Sequence, residues 1–287
     1  MAPTNLTSAP VFLLLGLVDG TDAHPLLFLL CLGIYLLNAL SNLSMVALVR
    51  SDGALRSPMY YFLGHLSLVD VCFTTVTVPR LLAGLLHPGQ AISFQACFAE
   101  MYFFLALGIT ERYLLAAMSY DRATAVCRTL RYGALVTPWR CAALVRASWA
   151  VAHLHWLLHT LLLSALSYPY PTPVRHFFCD MTVMLSLTTS DTSAAETAIF
   201  SEGLAVVLAP LLLVFLFLRA DPGRGARLAL VAVALFFGSV LSVYFRPSVV
   251  YAVITPTLNP FINSLRHKEV KGALKRGLRW RAAPQEA

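Results

Sequence analysis

Apolar residues in this chain come in long runs. The first is uninterrupted, with no charged residue from Leu26 to Val49. That is enough for one bilayer crossing, which takes roughly 20 residues. Runs of this kind predict helical spans near 25–49, 58–82, 97–125, 141–165, 196–218, 227–245 and 248–265. The third is the longest and holds charges inside it, so its ends are the least defined. Only Arg246, Pro247 and Ser248 separate the sixth from the seventh. Joined, those two would be too long for one crossing, and Pro247 suits a turn. The pattern therefore predicts an all-α membrane protein, a seven-transmembrane helix bundle, with six spans as the alternative count.

Composition agrees. Of 287 residues, 58% are hydrophobic and 12% charged, with a mean hydropathy of +0.72. A soluble domain carries about a quarter charged residues, so much of this surface faces lipid. The six cysteines are scattered without a CxxC pair, which removes zinc-ribbon and thioredoxin-like readings. Residues 1–20 lack a basic n-region, so the first apolar run is expected to stay as an anchor.

The distribution of basic residues sets the orientation. With seven spans, Arg50, Arg56, Arg128, Arg131, Arg140, Arg219, Arg224 and Arg227 share a side with the tail, which adds all three lysines. The opposite side holds little beyond Arg80, Arg175 and Arg246. Basic loops face the cytoplasm, so the N-terminus is expected outside. The expected divisions are an extracellular segment at 1–24, a membrane domain at 25–265 and a cytoplasmic basic tail at 266–287. The net charge of +7 is then a topology signal, not a nucleic-acid footprint. In the tail, Val270, Ala273, Leu274, Leu278 and Trp280 interleave with the basic residues. This predicts a short amphipathic helix on the anionic membrane lipid of the inner leaflet, with a disordered tail as the alternative. Asn5-Leu6-Thr7 is a glycosylation sequon on the outer side, whereas Asn42-Leu43-Ser44 lies within the first span.

Ionisable residues inside a bilayer are costly and tend to face the bundle interior. Asp70 falls in the middle of the second span and Glu111 in the middle of the third. One reading is a small-cation or proton site between them, helped by Asn259. The other is two neutral acids hydrogen-bonded to Ser67 or Asn42. Arg112, next to Glu111, is a mid-membrane cation, unfavourable by about 2.5–3.5 kcal/mol when unpaired. It has three readings: a pair with Glu111, a partner for a ligand carboxylate, or a damaging substitution. His153, His155 and His159 cluster in the fourth span, the last two one turn apart. They read as hydrogen-bonded histidines before they read as metal ligands.

Four motifs make the sequence specific. Leu55-Arg-Ser-Pro-Met-Tyr-Tyr-Phe-Leu63 opens the second span, and Met118-Ser-Tyr-Asp-Arg-Ala-Thr-Ala-Val-Cys127 closes the third. His176-Phe-Phe-Cys-Asp180 follows the fourth, and Pro256-Thr-Leu-Asn-Pro-Phe-Ile-Asn-Ser-Leu-Arg266 closes the seventh. In order and spacing these resemble the odorant receptor family of rhodopsin-like G-protein-coupled receptors, whose signatures read PMYxFL, MAYDRYxAIC and PxLNPxIYSLR.

The resemblance implies a plasma-membrane receptor for a small volatile odorant that activates an olfactory-type stimulatory G protein, with no cofactor and no metal. It implies a disulfide between Cys97 and Cys179. Arg122 would pair with Asp121 at rest and meet the G protein when active, and Asp70, Glu111 and Asn259 would form a sodium-type site. The ligand would be lined by Phe104, Leu105, Gly108 and Ile109 of the third span, Val206 of the fifth, and Phe237, Val240, Leu241 and Tyr244 of the sixth. Such a lining is apolar with few polar anchors, although aromatic and aliphatic stripes at helical spacing also simply pack a bundle.

The chain departs from the family pattern at several places. Ala123 and Asn263 stand where tyrosines are usual, and Thr129 where a proline is. Two further loop cysteines of the family are absent together. Between Pro210 and Gly238 the chain is shorter than the pattern by roughly four helical turns, and the connection between the sixth and seventh spans is also cut down. A second reading is therefore a receptor-shaped product that signals poorly. A transporter or channel, suggested only by Asp70, Glu111 and Arg112, lacks the internal repeat common in that class. No HExxH motif or nucleophile elbow supports an enzyme.

Overall fold

The computed structural model describes residues 11–14, 24–87, 90–127, 129–169, 172–174, 178–193 and 195–197. Its helices are α1 (His24–Ser51), α2 (Pro58–Leu86), α3 (Phe94–Cys127), the single-turn α4 (Tyr132–Leu135), α5 (Pro138–Ser164) and α6 (Met181–Leu187). Four of them, α1, α2, α3 and α5, are long and apolar enough to cross a membrane. They fall on the first four runs read from the sequence, with α2 and α3 somewhat longer. The fifth, sixth and seventh runs, Asn5 and the basic tail lie outside the described residues.

Local chemistry sets the helix ends. Ser57 is extended (φ −73°, ψ 153°) and Pro58 follows in the first turn of α2, where its fixed φ fits and its missing N–H is not needed. At the start of α5 the Thr137 hydroxyl accepts the Arg140 N–H, again beside a first-turn proline, Pro138. Pro79 lies inside α2 and cannot donate to the Thr75 carbonyl one turn back. Just upstream, the Thr74, Thr75 and Thr77 hydroxyls bond back to the carbonyls of Asp70, Val71 and Phe73 at 2.9, 2.7 and 3.1 Å. Such back-bonding satisfies the hydroxyls without solvent, which suits a helix in lipid.

α1 packs on α2, α2 on α3, and α3 on α5. The main core is built around α2, whose Tyr60, Leu63, Leu66, Phe73 and Val78 are fully buried against Met45 of α1 and Leu114 of α3. Gly64 allows the close α1–α2 approach: a Cβ there would stand 3.3 Å from Val49 Cγ1. The outward faces are as apolar as the core. Leu26 and Leu40 of α1 and Leu154 and Leu158 of α5 are well exposed, a surface that water would not tolerate over this extent.

The all-α expectation omitted one feature. Val11–Leu14 (β1), Gln90–Ser93 (β2) and Thr172–Val174 (β3) form a three-stranded sheet in the order β2-β1-β3. β1 runs antiparallel to β2, with Val11 opposite Ser93, and parallel to β3, with Phe12 opposite Thr172. The sheet closes the end of the bundle where α3 begins. Strands of three and four residues leave no legible period in a sequence. Phe12, fully buried, fixes this sheet by packing against Phe94 and Tyr168 at ring separations of 6.2 and 6.1 Å.

Candidate functional site

At the sheet end, Cys97 in the first turn of α3 is joined to Cys179, with the two Cα atoms 5.4 Å apart. The bond pins the chain after β3 across the bundle. It seats Phe178, itself buried, on Phe104 (4.9 Å between centroids), and Phe104 in turn packs on Phe73 of α2 (4.9 Å). Leu105, one residue on, turns to a second cluster formed by Cys97, Met101, Cys179 and Met184. Of the third-span lining residues, Phe104 thus belongs to the α2 side and Leu105 to the α6 side. Gly108 is buried and Ile109 half-buried one turn deeper. Val206, Phe237, Val240, Leu241 and Tyr244 lie outside the described residues.

In mid-bundle both acids are buried, Asp70 at 1% and Glu111 at 4% exposure. They share the interior with Asn38, Asn42, Ser67, Thr74 and Thr110, all buried. Asn42 directs its amide N–H groups at the Asn38 carbonyl and side-chain oxygens, 3.2 and 3.1 Å away. It is therefore engaged within α1. The third member of the expected site, Asn259, lies outside the described residues.

At the opposite end of α3, Asp121 is buried and accepts a hydrogen bond from the Tyr132 phenol at 2.7 Å. Arg122 is exposed, and its guanidinium lies against the Met59 sulfur, within the motif that opens α2. Burial above all, and then the hydrogen bond to Asp121, pushes the Tyr132 phenol far above its ordinary range. It therefore stays a donor at every working pH. Tyr132 is carried on α4, and Arg140 fastens that turn to α5 by donating to the Ala134 and Leu135 carbonyls at 3.1 and 2.9 Å. Sequence reasoning named Asp121 and Arg122 but missed Tyr132; the Leu130-Arg131-Tyr132 run beyond Cys127 was the available signal.

The histidines of α5 divide. The His153 Nδ1 is 2.8 Å from the Tyr102 hydroxyl, and its ring stacks on Trp149. His155 and His159 have ring centroids 4.4 Å apart. Among the described residues no group of three or more His, Cys, Asp or Glu could hold a metal ion.

Known proteins match this chain along nearly its whole length. The olfactory receptor family model matches residues 30–219. Olfactory receptor 1f45 of Rattus norvegicus is 41% identical, over 98% of both chains. The Homo sapiens olfactory receptors 1L4 and 1F1 are 40% and 41% identical, over 94% and 96% of this chain and 96% and 97% of their own. The alignment with the rat receptor runs to 308 positions against the 287 residues of this chain, so at least 21 residues of that relative have no counterpart. These relatives are receptors, not enzymes, and four described helices have the length and hydropathy to cross a membrane. Motifs, apolar helices and full-length relatives agree: this multi-pass membrane protein belongs to the olfactory receptor family.

Proposed function

We propose that this chain is a plasma-membrane odorant receptor that binds small volatile molecules and signals through a stimulatory G protein. Its seven helices would place the N-terminus with Asn5 outside and the basic 266–287 tail, as an amphipathic helix, on the inner leaflet. The disulfide supports that orientation, since a structural cystine belongs on the oxidising side of the membrane. The ligand would lie between the outer half of α3, at Phe104, Leu105, Gly108 and Ile109, and Val206, Phe237, Val240, Leu241 and Tyr244 of the later spans. Asp70, Glu111 and Asn259 would hold a sodium ion, and Asp121 with Arg122 would form the inner switch.

The observation that carries the ligand reading is the seating of Phe178 on Phe104 by the Cys97–Cys179 bond. A loop fixed in this way would roof an apolar space with aromatic edges and exclude water from it, the conditions under which an odorant with few polar atoms gains most from burial.

The test is a cAMP assay against an odorant panel in cells where surface display is verified by antibody. A response to at least one odorant is expected, with Phe104→Ala raising the half-maximal concentration about tenfold or more, the value of one lost aromatic contact surface. A displayed receptor that binds odorant without raising cAMP would refute the coupling half. It would point to the shortened connection between the fifth and sixth spans.

A further inference from the structure

Arg112 stands in the middle of α3, eighteen residues after its start and fifteen before its end. At a rise of 1.5 Å per residue it is about 22 Å or more from either helix end. Charged side chains at that depth face the bundle interior.

The contacts of its neighbours fix its direction. Phe103, 46% exposed, marks the outward face of α3. Arg112 comes nine residues later, about two and a half turns on, and so falls on the opposite side. Phe104 turns to α2 through Phe73, and Tyr102 turns to α5 through His153. Eight and ten residues on, Arg112 lies between those two faces, roughly a quarter turn from each. It is half-buried there. Glu111, seven residues after Phe104, keeps to the α2 side.

Arg112 therefore continues the stripe of Leu105, Gly108 and Ile109, at spacings of seven, four and three residues. A helical side chain leans toward the N-terminal end of its helix, over the turn before its own Cα. For Arg112 that turn carries Gly108, which has no side chain to oppose the guanidinium. The apolar wall of Phe104 and Leu105 thus ends on a cationic floor.

Such a floor selects a ligand class. Arginine stays charged and presents five N–H donors in a planar fork. That is enough to keep a contact within the receptor and still grip both oxygens of a carboxylate. An alcohol, aldehyde or ester of the same chain offers neither the charge nor the paired oxygens.

We propose that Arg112 makes this receptor selective for apolar carboxylic acids, an inference that rests on the odorant space proposed above. The acid is bound as its carboxylate, the form that prevails at neutral pH. The carboxylate sits on Arg112, and the alkyl chain runs outward past Gly108 and Leu105 toward Phe104.

The test uses the purified full-length receptor in nanodiscs and reads affinity from the ligand-induced rise in Tm, which needs no G protein. Hexanoic, octanoic and decanoic acids are compared with the alcohol and the methyl ester of each chain. On the unaltered protein the best-fitting acid should bind about tenfold or more tightly than its alcohol and ester, the lower bound for one charge-assisted hydrogen bond. Arg112→Gln should abolish that advantage and leave the affinities of alcohol and ester unchanged. Arg112→Lys, which keeps the charge and loses the fork, should retain part of it. Acids that bind no better than their esters overturn the proposal, as does an advantage that survives Arg112→Gln. Phe104→Ala should weaken acid, alcohol and ester alike. Neutral members that bind in a Phe104-dependent way, with no advantage for the acids, leave the odorant space standing and remove only the role of Arg112. Binding by no member, or acid binding indifferent to Phe104→Ala, overturns both.

Discussion

The Tyr132–Asp121 hydrogen bond allows a quantitative test of how α3 is held to the turn that follows it. Tyr132→Phe removes one oxygen and keeps the ring in place. The lost bond is 2.7 Å long, its acceptor is a buried carboxylate, and hydrogen bonds to charged groups contribute about 1.5–3 kcal/mol. A local opening of α4 should therefore become roughly 10- to 150-fold more populated. Amide hydrogen exchange over residues 129–136, on receptor in detergent or nanodiscs, reads that population directly. A double-mutant cycle with Asp121→Asn isolates the pair, and its coupling should fall in the same range of about 1.5–3 kcal/mol. Because the phenol's affinity for its proton is raised on folding, its contribution is complete below the unfolded value of about 10 and is lost only as pH rises above it. The difference in exchange between the unaltered protein and the Tyr132→Phe variant should consequently be the same at about pH 6 and about pH 9, both below that value. A coupling near zero, or a difference that vanishes between those pH values, would refute the latch.

Other contacts give further expectations. Phe12→Ala, at the centre of the aromatic seal with Phe94 and Tyr168, should cost about 3 kcal/mol, the lower end for a buried phenylalanine. A lowered Tm and faster exchange in β1 and β2 would show it, and unchanged exchange there would mean the strand does not hold the sheet. Cys97→Ser opens a connection of 82 residues, for which chain entropy alone gives about 4.5 kcal/mol. Since α3 and α5 stay helical in lipid, the expected loss is about 2–4 kcal/mol, read as Tm and surface display, and Cys179→Ser in the same background should add nothing. Tyr102→Phe removes the hydroxyl 2.8 Å from His153 Nδ1 and should lower stability by about 1 kcal/mol. The same loss in a His153→Phe background would show that the two do not interact.

What the sequence disclosed and what it withheld follow from one physical distinction. Spans are set by length and by exclusion of charge, properties summed over many residues, so α1, α2, α3 and α5 fall where the apolar runs lie. The same sum cannot see a contact between two distant residues. Tyr132 on Asp121, Arg122 against Met59, and Arg80 beside Glu100 each join residues whose pairing depends on helix rotation and on the path of a connecting turn. The sheet escaped for a related reason: Phe12 matters because β2 and β3 come to it from residues 90–93 and 172–174, and Val11–Leu14 by itself is only a short apolar run. Motifs bridge part of this gap, because they record positions held in place by partners elsewhere. They named Asp121, Arg122 and Cys179, and the family resemblance they carry implied Cys97, yet Glu100, which lies in none of the four, was missed. A buried carboxylate beside an arginine becomes visible only when α2 and α3 stand side by side.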